Sequence, residues 1–321
     1  MIQFINVTKT FPDGTSAVEN LNLTIKEGEF FVLIGPSGCG KTTTLKMMNR
    51  LIDCTKGTIT IGNKEITKYD VNELRWNIGY VLQQTGLFPH MTNGENIAIV
   101  PELKKWKKVK IQNRVNELLN MIGLDPKVYR NRKPKELSGG QQQRIGVARA
   151  LAADPTIILM DEPFSALDPI SREKLQDDMI DLQRKIKKTI VFVTHDMNEA
   201  LKLGDRICVM KEGKAIQIGT PEELIKNPVN HFVKDFVGSQ NDRTNDSFNL
   251  KNIIHQPSNG LFTNLEDAIS VDHSLQDTLA YLTTNEQLPV EEDGEIIGMI
   301  NRQIIIEYLA GKSDERGRGN E

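Results

Sequence analysis

Cysteine is scarce in this chain: Cys39, Cys54 and Cys208 are the full set, odd in number and not spaced as metal ligands. They build neither a disulfide framework nor a thiolate metal centre, and they suit a reducing compartment. Long apolar runs are missing too. No stretch approaches the ~20 uncharged apolar residues that a bilayer-spanning helix needs, so no pore is expected from this chain. The start, MIQFINVTKTF, has no basic segment followed by an apolar core. No secretory signal is therefore expected, and the chain is expected to stay in the cytoplasm. Strong charge of either sign is also lacking. A net charge of -3 over 321 residues leaves no electrostatic footprint for nucleic acid, and no nucleic acid partner is expected.

Apolar residues make up 38% and charged residues 26%, which allows one large globular domain and a small second one. One local charge run stands out: Lys104, Lys105, Lys107, Lys108 and Lys110 surround Trp106. It reads as the solvated start of a surface helix, with contact to anionic lipid headgroups as the competing reading.

Residues 1–10 alternate as a strand does, and Pro12-Asp13-Gly14 supplies a turn. Residues 21–27 read as a second strand closed by Gly28. Phe30 to Ile34 is an unbroken apolar run, the pattern of a strand buried on both faces. Ile157 to Met160 and Thr189 to Thr194 repeat it. Helical patterns cover 41–50, 109–122, 140–152 and 171–188. Buried strands alternating with helices predict a parallel α/β sheet. The stretch after residue 238 turns polar. Expected boundaries are a first domain over 1–238, a linker over 239–256, a small β/α domain over 257–311 and a disordered tail over 312–321. In the small domain, Asp267 to Val271 reads as a strand entry. Ser274 to Leu282 reads as a helix with Leu275, Leu279 and Leu282 on one face. Leu288 to Val290 and Glu295 to Ile300 read as strands paired around an Asp293-Gly294 turn, and Asn301 to Leu309 as a closing helix.

Gly35-Pro36-Ser37-Gly38-Cys39-Gly40-Lys41-Thr42 matches G-x-x-x-x-G-K-[ST] and lies between a buried strand and a helix, the context this motif requires. The glycines let backbone approach phosphates closely. Successive N–H groups then form an anion nest at a helix N-terminus. Lys41 is placed to reach the β- and γ-phosphates of ATP, Thr42 to bind Mg²⁺ and Thr43 to reach the α-phosphate. After the apolar strand 157–160 come Asp161 and Glu162. Asp161 is expected to hold Mg²⁺ through water, and Glu162 to face an attacking water as general base.

With these residues the chain resembles the ATP-binding subunits of ABC transporters. Leu137-Ser138-Gly139-Gly140-Gln141 matches the signature sequence of that family, and Ser165-Ala166-Leu167-Asp168 matches its D-loop. The resemblance extends from residue 1 to about 238. It implies a P-loop NTPase fold of ABC type, with a parallel sheet core, an antiparallel β subdomain and a helical subdomain. It also implies that ATP is sandwiched between two copies, with Ser138, Gly139, Gly140 and Gln141 completing the partner's site and Asp168 crossing the interface. Gln83 falls at the family's Q-loop glutamine, sensing Mg²⁺ and the attacking water, and the loop after it resembles the region that contacts the membrane partner. His195 falls at the switch histidine that contacts the γ-phosphate. Phe11 falls at the aromatic residue that stacks on adenine.

The stretches KTTTLKMMNRLIDCTKGTITI and RWNIGYVLQQTGLFPHMTNGENIAIVPELKKW look like the branch that imports glycine betaine, carnitine and choline. Expected partners are a second copy or a paired ATPase subunit, integral membrane permease subunits and an extracytoplasmic substrate-binding component. The expected location is the cytoplasmic face of the membrane. Proline or another amino acid derivative stays open as the solute. A non-transport ABC ATPase is a rival class, although the chain has neither the second ATP domain nor the long coiled coil of those proteins. Residues 257–311 resemble a single CBS motif. Regulation by an adenine nucleotide or by ionic strength, and ligand-free dimerisation, are both open for it.

Overall fold

The computed structural model describes residues 1–83, 85–165, 167–241, 250–254, 268–271, 273, 275–292 and 295–308. The chain divides into two compact units, Met1–Val237 and Gly238–Glu321.

The first unit opens with β1 (Ile2–Thr10) and β2 (Ser16–Ile25), an antiparallel pair. The Phe11 N–H donates to the Thr15 carbonyl across the turn at 2.9 Å. β3 (Phe30–Ile34) runs through a glycine-rich loop into α1 (Lys41–Met48). β4 (Lys56–Ile61) and β5 (Lys64–Glu65) then complete a four-stranded antiparallel sheet in the order β2-β1-β4-β5. Next come α2 (Val71–Trp76), β6 (Ile78–Val81), α3 (Asn93–Leu103), α4 (Lys108–Met121), α5 (Pro126–Tyr129) and α6 (Gly139–Leu151). The remainder of this part of the chain is β7 (Ile157–Asp161), α7 (Pro169–Ile186), β8 (Thr189–Thr194), α8 (Met197–Leu203), β9 (Arg206–Lys211), β10 (Lys214–Gly219), α9 (Pro221–Lys226) and α10 (His231–Asn241). The second sheet has six strands in the order β10-β9-β3-β8-β7-β6. All its pairings are parallel except β10 on β9.

The unbroken apolar runs of β3, β7 and β8 follow from cover on both faces. Val32, Ile34, Ile158, Met160, Ile190 and Phe192 point into a core shared with α4, α6 and α7. Phe31, Leu33, Leu159, Val191 and Val193 point the other way, against Leu45 and Met48 of α1 and the antiparallel sheet. A helix comes close to the sheet at Gly79 of β6. A Cβ there would lie 2.5 Å from the Ala150 carbonyl oxygen, so only glycine lets α6 rest on this strand.

β2 begins at Ser16, earlier than the sequence pattern suggests, because it pairs with the whole length of β1. α1 stops at Met48, and Arg50 takes a left-handed conformation with φ 53°. The lysine cluster spans the turn between α3 and α4 and the first turn of α4. Trp106 packs against the core there, with the Lys110 ammonium 3.7 Å from its ring centre. No helix among the described residues is long and apolar enough to cross a membrane.

The second unit contains β11 (Ile269–Ser270), α11 (Leu275–Thr284), β12 (Gln287–Glu292) and β13 (Glu295–Asn301), followed by helical turns over 302–308. β11 pairs parallel and β13 antiparallel with β12. Leu250, Leu282, Leu288, Val290, Ile300 and Ile305 form its own core. Leu279 is 40% exposed while Thr278 and Leu282 are buried, so the inward face of α11 is turned from the expected leucine stripe. Gln84, Ala166, Asp267, Ser274, the Asp293-Gly294 turn, Leu309, most of the expected linker and the expected tail lie outside the described residues.

Candidate phosphate-binding and hydrolytic site

The loop from Gly35 to Gly40 leaves the carboxyl end of β3 and delivers its last residues into α1. Gly35, Gly38 and Gly40 have φ of 153°, 79° and 102°. A Cβ on Gly35 would lie 2.1 Å from the Met210 carbonyl, and one on Gly40 2.3 Å from that of Ala17. At Gly38 nothing lies within 4 Å. The loop is therefore pinned at both ends and open at its tip, where Pro36, Ser37 and Gly38 are exposed. Lys41 is 5% exposed, and its ammonium donates to the carbonyls of Gly35 at 2.7 Å and Pro36 at 3.0 Å. A nearly buried cation on loop carbonyls, beside a ring of N–H groups at a helix start, is a cradle for a polyphosphate. Cys39 is buried, and burial pushes its thiol pKa up, against the pull of Lys41. It is a packed core group and not a ready nucleophile.

Asp161 ends β7, the second strand from β3 across the sheet. Its carboxylate accepts the Thr42 hydroxyl at 2.8 Å and the Tyr80 hydroxyl at 3.4 Å. Burial, reinforced by the Asp161 charge, raises the Tyr80 pKa and keeps the phenol protonated as a donor. Thr42 and Asp161 thus present paired hard oxygen ligands, a donor set that fits Mg²⁺.

Glu162 follows with φ 43°, and its N–H donates to the Val193 carbonyl at 3.0 Å. This left-handed turn brings its carboxylate to a meeting point of three segments. The Gln83 side-chain amide donates to Glu162 Oε2 at 3.3 Å, and His195 Nδ1 lies 3.2 Å from the same oxygen. Gln83 follows β6, Glu162 follows β7 and His195 follows β8, so three adjacent parallel strands deliver one polar triad.

The signature turn has other neighbours. Ser138 caps α6 and accepts the Gln141 N–H at 3.3 Å, while the Gln141 side chain returns to the Ser138 N–H at 3.0 Å. Gly139 and Gly140 lie against Leu167 and Ser171, beside Asp168, which caps α7 by accepting the Ser171 N–H at 3.0 Å. Ser138 and Asp168 are exposed. Phe11 lies in the turn between β1 and β2, half-buried, with the Lys9 ammonium 5.3 Å from its ring centre. Two site neighbours carry no sequence motif: Tyr80, and Arg149, which donates to the carbonyls of Thr85 and Gly86 and so fastens the segment after Gln83.

A phosphate cradle at the end of β3, with two carboxylates at the end of β7, the next strand but one, defines a P-loop nucleoside triphosphatase. Residues 18–165 match the family described as ABC transporter. The chain is 50% identical over 299 residues to the carnitine transport ATP-binding protein OpuCA of Listeria monocytogenes, covering 92% of this chain and 74% of that protein. It is 47% identical over 312 residues to the osmoprotectant import ATP-binding protein OsmV of Salmonella typhimurium, covering 94% and 80%. Among solved structures, the dimeric bacterial ABC transporter cassette MJ0796 superposes with a TM-score of 0.62 at 40% identity, over 69% of this chain and 99% of that one. The chain belongs to the ATP-binding subunits of ABC transporters, ATPases coupled to transport across a membrane.

Proposed function

We propose that this chain powers an importer of quaternary-amine osmoprotectants, of the glycine betaine, carnitine and choline class, from the cytoplasmic face of the membrane. The observation that carries its hydrolytic part is the meeting of Gln83 and His195 on one oxygen of Glu162, next to the Thr42–Asp161 pair and the Lys41 cradle. The solute class is supported by relatives named for carnitine transport and for osmoprotectant import.

In this reading Lys41 exchanges its carbonyl partners for β- and γ-phosphate oxygens. The N–H groups of Gly38 and of Gly40 to Thr43 wrap the phosphate chain, and Phe11 stacks on adenine. Thr42 and Asp161 would hold Mg²⁺, which would neutralise charge on the phosphate oxygens. Glu162 takes the proton from the attacking water, while Gln83 and His195 hold that carboxylate and the water in line. A second copy, or a paired ATPase subunit, presents Ser138 to Gln141 and Asp168 across the interface. Closure of the pair is transmitted to permease subunits fed by an extracytoplasmic substrate-binding component. The small domain over 257–311 resembles a CBS motif and acts in regulation or dimerisation.

The test is uptake of labelled glycine betaine in cells lacking other betaine systems and carrying either this chain or Lys41→Ala. Uptake should rise with osmolarity and disappear in the variant. Equal uptake in both sinks betaine as the solute.

A further inference from the structure

We propose that Arg172 and Glu199 are positioning residues that tie the loop carrying Asp168 to His195. The proposal rests on the reading of His195 as the partner of Glu162 in hydrolysis.

Arg172 lies in the first turn of α7, the helix that Asp168 caps. Its guanidinium donates through Nη2 to the Leu167 carbonyl at 3.3 Å, so it is fastened to the Asp168 loop. The same planar fork faces the segment around His195. Nη1 is 3.9 Å from the Asp196 carboxylate and Nε is 3.9 Å from the Glu199 carboxylate. Nε is buried and has no hydrogen-bond partner among the described residues.

Glu199 is only 5% exposed. It accepts the Thr194 hydroxyl at 2.6 Å, and the Thr194 oxygen in turn accepts the Asp196 N–H at 3.0 Å. The residue bracketed by that bridge is His195. Glu199 is not needed to start α8, because Asp196 already caps it by accepting the N–H groups of Asn198 and Glu199. A buried carboxylate is an expensive way to fill space. Its placement here fixes both flanks of His195 and offers them to a guanidinium anchored on the Asp168 loop.

Two contacts at 3.9 Å lie beyond hydrogen-bond length. A shift of the Asp168 loop by roughly 1 Å converts them into charge-assisted hydrogen bonds or parts them. Either change moves the backbone on both sides of His195, and with it the ring that meets Glu162. The coupling runs through contiguous packed groups, from Leu167 to Arg172, Glu199, Thr194 and His195.

The experiment is a double-mutant cycle on the full chain. Steady-state ATPase kinetics, ATP affinity and thermal melting are measured for Arg172→Met, Arg172→Lys, Glu199→Gln and His195→Ala, and for the first and third combined with His195→Ala. Arg172→Met and Glu199→Gln should each lower kcat on the order of 10-fold, with KM for ATP and ATP affinity unchanged. Arg172→Lys should recover part of the loss. In the His195→Ala background neither substitution should cost anything further. Losses that multiply in that background, or that follow the loss of melting temperature, overturn the proposal. If His195→Ala alone leaves kcat intact, the underlying reading of His195 fails, an outcome distinct from multiplying losses.

Discussion

Glu162 holds its carboxylate in place with a backbone that most side chains avoid, at φ 43°. The strain is on the order of 1–2 kcal/mol, and it is held by an N–H bond to Val193 and by the Ser165 hydroxyl donating to the Glu162 carbonyl at 3.0 Å. Glu199 carries a different burden. Burial raises its pKa and Asp196 adds to this, while the Thr194 hydroxyl, Arg172 and His195 pull it down. The folded chain therefore binds this proton more tightly than the unfolded chain does. The stability it contributes is fully present below the unfolded carboxylate pKa of about 4.3 and is lost as pH rises through the raised folded value. Glu199→Gln removes that loss. Melting curves at pH 4, 6 and 8 should show the variant level with the parent at pH 4 and above it at pH 8. A difference independent of pH contradicts the argument. This gain in stability and the loss of turnover expected above have opposite signs, as befits a group retained for positioning.

At the scale of elements, the phosphate loop combines two kinds of glycine. Gly40→Ala places a methyl group against the Ala17 carbonyl in a left-handed turn. It should lower the melting temperature and abolish ATP binding together. Gly38→Ala meets open space, so it should cost only about 1–2 kcal/mol of stability for its positive φ while still weakening ATP binding, because its methyl group points from the exposed tip. Thermal melting paired with nucleotide titration separates the two; identical behaviour contradicts it. The same loop shows why so much of this site was legible in the sequence. Gly35, Lys41, Thr42, Asp161 and Glu162 are demanded by phosphate and metal chemistry at fixed spacing, next to strands buried on both faces. Tyr80, Arg149, Arg172 and Glu199 were not legible, because each acts through a partner fixed only by the fold. Asp161 lies 81 positions beyond Tyr80, for example. β4 and β10 escaped notice for a related reason. Their residues are mostly half-buried or exposed, so neither strand shows a clean period. In the second unit the expected leucine face of α11 was misplaced at Leu279, where spacing alone did not reveal that Thr278 turns inward.

At the scale of the molecule, among the described residues, the two main cores draw on residues up to Val237, and the third on residues from Leu250 onward. A chain ending at residue 238 should therefore melt cooperatively, within about 5 °C of the full chain, and retain ATP binding. A fragment that melts broadly and exposes apolar surface to a dye contradicts this.

The close approach at Gly79 has a mechanical consequence for the same unit. α6 has 13 residues and rests its Ala150 end on β6, while Ser138 caps its other end. At a rise of 1.5 Å per residue, that end lies about 18 Å from the contact. Pivoting the helix there by about 5° sweeps Ser138 through roughly 1.5 Å, half the length of a hydrogen bond. The strand beneath the pivot leads to Gln83. Were α6 to pivot at this contact, a slight twist where Gln83 begins would be geared up into a displacement of the signature turn, with Gly79 as the fulcrum and α6 as the arm.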